Sequence, residues 1–224
     1  MHEKTIGTER ERGMNKEAPQ AAAGAAEIEF WFEFGSNYSY LSVMRIEDSA
    51  ARRGVSVKWK PFLLGPIFKS FGWDSSPFVM QKEKGAYVWQ DMARQCSKLG
   101  LPWARPSTFP RIALLPMRVA LLGAEQPWMA DYCRMTMMLN FAEDQDINAP
   151  EQVAGVLSEL GLPAAKIIAE AQGERNKLLL RQQTETAQAR GIFGAPTFFV
   201  GKEMFWGNDR LDDALALAAR RVAG

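Results

Sequence analysis

FGSNYSYLS, residues 34–42, joins a strongly apolar segment to one with helical periodicity. The apolar segment, IEFWFEF at 28–34, is aromatic and β-branched with partial alternation, which predicts a buried strand. Apolar residues after the turn recur near a helical period, and Gly54 supplies the expected end of a helix. VSVKWKPFL at 55–63 predicts a second strand. This order predicts a βαβ unit with parallel strands.

The turn between the first strand and the helix is a candidate ligand site. Ligands favour the carboxyl ends of the strands in such units. Ser36 is expected at the start of the helix, where free N–H groups and the helix dipole favour an anion. A serine in this position is also commonly a helix N-cap. Ser39 is expected to be an inward-facing structural residue of the first helical turn.

The remainder of the chain predicts a helical insertion followed by a hairpin. Residues 77–190 have helical patterns throughout, punctuated by proline and glycine, and they show no repeat that would indicate a solenoid. PTFFVG and EMFWG, separated by a turn at Gly201 and Lys202, predict an antiparallel hairpin, and a last helix is expected at about 209–222. The predicted layout is βαβ, helical insertion, ββα. One α/β domain would comprise 28–76 and 191–224, and an inserted helical domain would comprise 77–190.

Composition limits the classes of function. The chain has 224 residues, is 47% hydrophobic and carries a net charge of +1, so it can bury a sizeable core but has no electrostatic footprint for nucleic acid or an anionic membrane. Residues 1–27 mix both charges with small residues and hold no apolar stretch long enough for a signal peptide or a membrane span. We expect a disordered N-terminal tail and a cytoplasmic protein.

Cysteine and histidine usage excludes several kinds of active site. Cys96 and Cys133 are far apart in helix-like segments, so the sequence has neither a CxxC pair nor a zinc-ligand set, and buried free thiols are expected. His2 is the only histidine, which excludes Ser-His-Asp triads, Cys-His pairs and histidine metal sites. We therefore expect no metal.

Five stretches, in chain order, carry a family resemblance over about residues 28–222: FWFEFGSNYSYLS, PFLLGPIFKSFGW, KGAYVWQDM, FGAPTFFVG and FWGNDRLDDAL. Together they resemble the 2-hydroxychromene-2-carboxylate isomerases and their relatives, the kappa-class glutathione transferases. The resemblance implies an α/β thioredoxin-like fold with a large inserted all-helical subdomain, and glutathione as the cofactor. Ser36 and Ser39 bracket the positions where thioredoxin-like oxidoreductases have CxxC, so the turn offers a hydroxyl in place of a thiol.

The resemblance implies a catalytic role for Ser36 and a glutathione site around it. Ser36 would donate a hydrogen bond to the glutathione sulfur and stabilise its thiolate. Pro196 would be a cis proline facing the turn, and the backbone of Ala195 would pair with the cysteinyl unit like an added strand. Asn208 would hold the carboxylate and Asp209 the ammonium of the γ-glutamyl end.

Other positions match the family pattern less closely. Lys84 matches a lysine that binds glutathione in relatives, where its ammonium would neutralise a carboxylate. Asn37 stands where relatives often have proline, and no role is assigned to it. Kappa-class enzymes have asparagine after the glycine that here is Gly72, whereas this chain has Trp73. Trp73 would be either a wall of an aromatic pocket or a core residue.

The resemblance implies a glutathione-dependent isomerase acting on a small aromatic carboxylate in aromatic hydrocarbon catabolism. It would interconvert 2-hydroxychromene-2-carboxylate and trans-o-hydroxybenzylidenepyruvate through reversible addition of the glutathione thiolate, bond rotation and elimination. Two alternatives remain open: a kappa-type transferase or peroxidase acting on other electrophiles, and a non-catalytic thioredoxin-like binding module. A disulfide oxidoreductase is disfavoured because both sulfurs are replaced. A homodimer is expected on the resemblance alone.

Overall fold

A four-stranded mixed sheet is the centre of the computed structural model, which describes residues 26–223. Its strands, in the spatial order β2-β1-β3-β4, are β1 (Ala26–Phe32), β2 (Val55–Pro61), β3 (Thr197–Val200) and β4 (Glu203–Trp206). β1 pairs with β2 in parallel and with β3 in the antiparallel direction, and β3 and β4 form a hairpin. The predicted parallel βαβ pair and the C-terminal hairpin are confirmed.

Helices surround the sheet. They are α1 (Asn37–Val43), α2 (Ile46–Ala51), α3 (Leu64–Ser70), α4 (Pro77–Met80), α5 (Lys82–Leu99), α6 (Leu114–Gly123), α7 (Met129–Phe141), α8 (Pro150–Glu159), α9 (Ala164–Ala171), α10 (Glu174–Ala189) and α11 (Leu211–Ala223). A 3-10 turn, Asn208–Arg210, precedes α11. Within the described chain, none of these helices has the length and apolarity needed to cross a membrane.

Alternation along β1 directs its side chains into two apolar layers. Ile28, Phe30 and Phe32 are fully buried in a core that also contains residues of α1, α7 and α11. Trp31 lies in the other layer, where it packs with Phe62. Burial of side chains of this size contributes about 1.5–3 kcal/mol each. The central strand is therefore anchored on both faces, which fixes the position of the turn that follows it.

The helical insertion shares the core of the sheet. Phe34, just after β1, contacts Tyr132 of α7 edge-on, with ring centroids 6.0 Å apart. Tyr40 of α1 stacks on Phe141 of α7 at 5.5 Å. Helix α10 lies within the predicted insertion, yet its Ala187 packs into the second apolar layer of the sheet. The apolar core is therefore continuous across the proposed boundary at residue 190.

The first strand begins earlier than predicted. Ala26 and Glu27 pair with Val55 and Ser56 of β2, so the last two residues of the predicted tail belong to the sheet. The sequence did not indicate that Ala26 and Glu27 belong to the strand, because the apolar pattern starts only at Ile28. Residues 1–25 of the predicted tail lie outside the described chain.

The helix predicted after the turn is broken at Met44 and Arg45. The backbone of Arg45 has φ −132°, outside the helical region, and its guanidinium donates to Asn208 and Asp212. The break leaves α1 only seven residues long. Its dipole is therefore weaker than that of the single long helix that the sequence predicted.

Residues 100–113 are not helical, although helical structure was predicted throughout 77–190. The segment contains Pro102, Pro106 and Pro110, and each proline lacks the N–H that a helix interior requires. The Phe109–Pro110 peptide is cis. This irregular segment passes beside the turn that contains Ser36. A Cβ added to Gly35 in that turn would lie only 3.1 Å from the carbonyl oxygen of Arg111.

Both cysteines are buried and free, as predicted. Burial raises the pKa of the Cys96 thiol to about 11. Burial likewise raises the pKa of the Cys133 thiol well above its ordinary value. Neither residue therefore supplies a thiolate nucleophile at neutral pH.

Candidate active site

A large cavity opens at the carboxyl end of β1, beside the start of α1. Its volume of about 1500 Å³ exceeds the roughly 300–1,000 Å³ of common small-molecule sites. All six residues predicted to form the site line this cavity: Ser36, Lys84, Ala195, Pro196, Asn208 and Asp209. The space is sufficient for a tripeptide together with a second small molecule.

Ser36 caps α1 and links the turn to the loop before β3. Its backbone is extended, with φ −86° and ψ 115°, and its Oγ accepts the backbone N–H of Ser39 at 3.2 Å. The same hydroxyl donates to the carbonyl oxygen of Ala195 at 2.8 Å. The capping geometry of Ser36 and the burial of Ser39 are as expected from the sequence. The hydroxyl proton, however, is directed at the protein backbone rather than at open space.

The Ala195–Pro196 peptide is cis, and its backbone faces the turn. The loop is held from two sides, since the Ala195 carbonyl accepts from Ser36 and the Pro196 carbonyl accepts the N–H of Gly207 at 2.9 Å. Pro196 is buried, whereas Ala195 is partly exposed to the cavity. The position of this loop relative to Ser36 is therefore set by the fold.

Arg45 fixes Asn208 at the start of the 3-10 turn. Its Nε donates to Asn208 Oδ1 at 3.2 Å, and its Nη2 donates to the Asn208 carbonyl at 2.8 Å. The hydroxyl of Ser42 also donates to Oδ1, at 3.0 Å. Because Oδ1 already accepts two hydrogen bonds, the Asn208 side chain offers a ligand its amide N–H donors. Arg45 was missed, since nothing in a helical pattern signals a contact across 163 positions.

Asp209 and Lys84 place opposite charges on the cavity wall. The Asp209 carboxylate accepts from Arg210 Nη2 at 3.0 Å, and both groups are exposed. Lys84, in the first turn of α5, is exposed, and no carboxylate of residues 26–223 lies within ion-pair distance of its ammonium. Lys84 is therefore available to an anionic ligand, whereas Asp209 must share its charge with Arg210.

Tyr38 and Asp91 join the Ser36 turn to α5, and both line the cavity. The Tyr38 hydroxyl donates to Asp91 Oδ2 at 2.7 Å, and Asp91 Oδ1 accepts from Gln95 at 3.3 Å. Burial and this hydrogen bond raise the pKa of Tyr38 above its usual range, so the phenol keeps its proton at neutral pH. The pair was not predicted, because its members are 53 positions apart with no shared motif.

Aromatic side chains form much of the cavity wall. Phe193 and Trp206 contact each other with ring centroids 4.8 Å apart, and they are 41% and 50% exposed. Phe109 and Trp73 line the same space. Trp73, for which core and wall roles were both open, is 36% exposed and is a wall residue. Exposed aromatic surface around a cavity is typical of a binding site for an apolar or aromatic ligand.

The chain has the features of the thioredoxin-like class of proteins: the βαβ unit, the cis-proline loop and the helical insertion. A profile of the DSBA-like thioredoxin domain matches residues 27–217, and the chain belongs to that family.

Three characterised relatives narrow the comparison. The 2-hydroxychromene-2-carboxylate isomerase of Sphingobium xenophagum is 29% identical over 194 residues, covering 83% of this chain and 94% of the relative. The enzyme of the same name from Pseudomonas putida is 27% identical over 188 residues, with coverage of 82% and 90%. Glutathione s-transferase kappa 2 of Caenorhabditis elegans is 24% identical over 212 residues, with coverage of 88% and 93%. The resemblance identified in the five sequence stretches is confirmed.

Solved structures share the fold. Selenomethionine 2-hydroxychromene-2-carboxylate isomerase superposes with a TM-score of 0.79 at 24% identity, covering 88% of this chain and 98% of that chain. The cytosolic disulfide reductase DsbM from Pseudomonas aeruginosa, solved with GSH, has a TM-score of 0.61 at 14% identity, with coverage of 88% and 100%. The predicted thioredoxin-like fold with a helical insertion is confirmed.

Proposed function

We propose that this protein is a glutathione-dependent isomerase that interconverts 2-hydroxychromene-2-carboxylate and trans-o-hydroxybenzylidenepyruvate. The observation that carries the proposal is a single cavity lined by the Ser36 turn, the Ala195–Pro196 loop and Asn208. Relatives named for this isomerase, at 27–29% identity over most of the chain, support the reaction. The kappa-class relative supports glutathione as the cofactor.

Binding of glutathione frees the proton of Ser36. The Ala195 carbonyl accepts that proton in a hydrogen bond of 2.8 Å. The cysteinyl N–H of glutathione can take over this acceptor in the manner of an added strand. The Ser36 hydroxyl then rotates and donates to the glutathione sulfur, which favours the thiolate. The N-terminus of α1, which Ser36 caps, also favours the negative charge.

The γ-glutamyl end of glutathione binds at the 3-10 turn. The amide donors of Asn208, oriented by Arg45 and Ser42, bind the carboxylate. The Asp209 carboxylate binds the ammonium while retaining its exposed contact with Arg210. Lys84, on the first turn of α5, binds a carboxylate of the bound molecules. The tripeptide is thus held at its γ-glutamyl end and at its cysteinyl unit, with its sulfur beside Ser36.

The aromatic wall accommodates the second substrate. Its rings present apolar faces to the same cavity that Ser36 lines. A flat bicyclic carboxylate can stack on such surfaces with its reactive carbon near the sulfur. Bound glutathione would supply the thiolate nucleophile, whose reversible addition to the conjugated enone of the ring-opened substrate would allow the bond to rotate. Glutathione is a catalyst in this scheme, and the cytoplasm supplies it in the reduced state.

A kappa-type transferase is the second candidate, because the same cavity and the same relative also fit conjugation to another electrophile. The two functions differ in what becomes of glutathione. A transferase consumes one thiol per turnover, whereas the isomerase consumes none. Counting free thiols during turnover therefore separates them.

The test is an absorbance assay with 2-hydroxychromene-2-carboxylate, with and without glutathione, combined with a thiol titration at the end of the reaction. We expect conversion to the trans product that requires glutathione and leaves its concentration unchanged. Loss of thiol in proportion to product would support the transferase. Failure to bind glutathione at millimolar concentration in calorimetry would support a non-catalytic module.

A further inference from the structure

Glu33 is an acidic residue on the cavity wall, and the proposed function gives this residue no role. It follows the last residue of β1 and lies three positions before Ser36, whose N–H donates to the Glu33 carbonyl at 3.1 Å. Glu33 lines the cavity, and its Oε2 is 3.8 Å from the position that a Cβ on Gly35 would occupy. A carboxyl group is thus placed on the same turn as the candidate catalytic hydroxyl.

No charged side chain of residues 26–223 pairs with Glu33. Charged and titratable residues from several elements line the same cavity: Tyr38, Arg45, Lys69, Asp74, Lys84, Tyr87, Asp91, Lys98, Arg111, Asp209, Arg210 and Asp212. Two of the cations are neutralised elsewhere, because Arg45 pairs with Asp212 and Arg111 pairs with Asp144. The Glu33 carboxylate instead accepts the backbone N–H of Leu64.

The surroundings of Glu33 favour the protonated carboxyl. Burial raises its pKa from 4.5 to about 7, and the N–H of Leu64 offsets only part of this effect. A carboxyl with a pKa near the working pH can both accept and return a proton, which is the property required of a general acid–base group. Asp144 shows the opposite behaviour, because hydrogen bonds from Ser107 and the guanidinium of Arg111 lower the pKa of its carboxyl.

We propose, on the basis of the proposed function, that Glu33 is the proton-transfer residue for ring opening of the cyclic hemiketal. Its carboxylate takes the proton of the hemiketal hydroxyl, and the electron pair of that O–H bond forms the ketone. The bond from this carbon to the ring oxygen breaks, and its electron pair goes to the phenolic oxygen. Glu33 then returns the proton to that oxygen, so no proton is gained or lost. The open enone is the species to which the thiolate adds.

The different roles of the Ser36 hydroxyl and the Glu33 carboxyl follow from their chemistry. The Ser36 hydroxyl can donate to sulfur, but its ordinary pKa is far too high for it to accept and return protons at neutral pH. The Tyr38 phenol has a raised pKa and donates its hydrogen bond to Asp91, so it is equally unsuited. Of the other carboxyl groups around the cavity, Asp209 and Asp212 are paired with arginines, Asp91 accepts from Tyr38, and Asp74 is exposed on the segment between α3 and α4 rather than on the turn that contains Ser36. Glu33 is unpaired and has a pKa near neutrality.

The experiment compares the wild type with Glu33→Gln, Glu33→Asp and the control Glu27→Gln, which changes an exposed glutamate of β1. We expect kcat/KM of the wild type to rise with pH through about 7. Glu33→Gln should lose this pH limb and about 100-fold in kcat, a typical general acid–base contribution. Glu33→Asp should keep an ionisation and part of the rate, and Glu27→Gln should match the wild type.

Two further readouts separate the possible failures. The ultraviolet absorbance of bound glutathione thiolate should titrate identically in the wild type and in Glu33→Gln. An infrared difference titration between these two proteins should show a carboxyl band that ionises near neutral pH. Unchanged turnover and pH profile in a folded Glu33→Gln protein would overturn this inference and leave the proposed function standing. A shifted thiolate titration in Glu33→Gln would mean that Glu33 acts on the ionisation of the glutathione thiol. That result would also overturn the inference that Glu33 transfers the proton in ring opening. A wild type without glutathione-dependent turnover would overturn both.

Discussion

The hydroxyl of Ser36 has one proton, which it donates to the Ala195 carbonyl. In the proposed complex this proton moves to the glutathione sulfur. Ser36→Ala should therefore retain glutathione binding, because most contacts lie elsewhere, but lose transition-state stabilisation of about 2–4 kcal/mol, as when an oxyanion-hole donor is removed. Steady-state kinetics should show kcat reduced by roughly 30- to 1,000-fold, with partial rescue at higher pH.

Ser39→Ala is the matched control for this variant. Ser39 lies in the same helical turn and is fully buried, but its Oγ has no hydrogen-bond partner among the described residues. It should therefore keep near-normal turnover. Removing the Ser36 cap should also lower the free energy of unfolding by about 1 kcal/mol, so both variants need a denaturation curve. A wild-type kcat in Ser36→Ala would mean that Ser36 acts only as a helix cap.

Glu33 should make the stability of the protein depend on pH. Its pKa is raised from 4.5 to about 7, so the folded state binds more protons than the unfolded state between these values. The free energy of unfolding should therefore fall as pH rises through this window, by up to about 3 kcal/mol from this group. Urea denaturation at pH 5 and pH 8 should show a smaller fall in Glu33→Gln. An equal fall in both proteins would contradict the assignment.

At the scale of single residues, the sequence located side chains that belong to a motif. Ser36 and Asn208 line the cavity, as the motif stretches implied. Arg45 and Glu33 were not identified, because their roles depend on distant contacts and on burial. Arg45 acts on a residue 163 positions away. The unusual state of Glu33 arises from desolvation, which no local pattern encodes.

The 3-10 turn before α11 is the element expected to hold the γ-glutamyl end of glutathione. Asp209→Ala should weaken glutathione binding by on the order of 2 kcal/mol, since it removes the partner of the ammonium. Exposure of Asp209 and its contact with Arg210 would reduce this effect, so a loss of several-fold is the minimum expected. Isothermal titration calorimetry measures it.

Asp213→Ala is the control for that experiment. Asp213 also contacts Arg210, at 2.8 Å, but it does not line the cavity. Its substitution should leave glutathione affinity unchanged. Equal affinities for Asp209→Ala, Asp213→Ala and the wild type would remove Asp209 from the site.

At the scale of elements, strands and the hairpin followed from the sequence, whereas helix boundaries near the site did not. The strand-forming stretches PTFFVG and EMFWG and the Gly201–Lys202 turn between them were sufficient to predict β3 and β4. The break at Arg45 was hidden, because a tertiary contact to Asn208 and Asp212 competes with continuation of the helix. The irregular segment 100–113 was signalled by its three prolines, but its position beside Gly35 depends on tertiary packing.

For the whole molecule, the continuous core explains why a helical insertion can form part of the site. Stacking of Tyr40 on Phe141 joins α1 to α7, and the Tyr38–Asp91 hydrogen bond joins the same turn to α5. The sequence predicted the insertion from its helical pattern. It did not predict how the insertion packs on the sheet, since apolar periodicity shows which face of a helix is buried but not its partner.

The oligomeric state stays a prediction from the family resemblance. Several large apolar side chains remain exposed, among them Phe71, Val79 and Met80 on neighbouring segments. Association of two chains would cover surface of this kind. Static light scattering at micromolar concentration should therefore give about twice the 25.1 kDa of one chain. A mass equal to one chain would contradict the dimer.

In the proposed complex, glutathione binds in this cavity with its sulfur beside Ser36. A crystal structure of the protein with glutathione would show the position of the sulfur. We expect the cysteinyl backbone to pair with Ala195 and the sulfur to lie within about 3.5 Å of Ser36 Oγ, a distance at which the hydroxyl can donate to it. In that complex the hydroxyl should no longer make its 2.8 Å hydrogen bond to the Ala195 carbonyl. Glutathione bound elsewhere, or with its sulfur directed away from Ser36, would contradict the account.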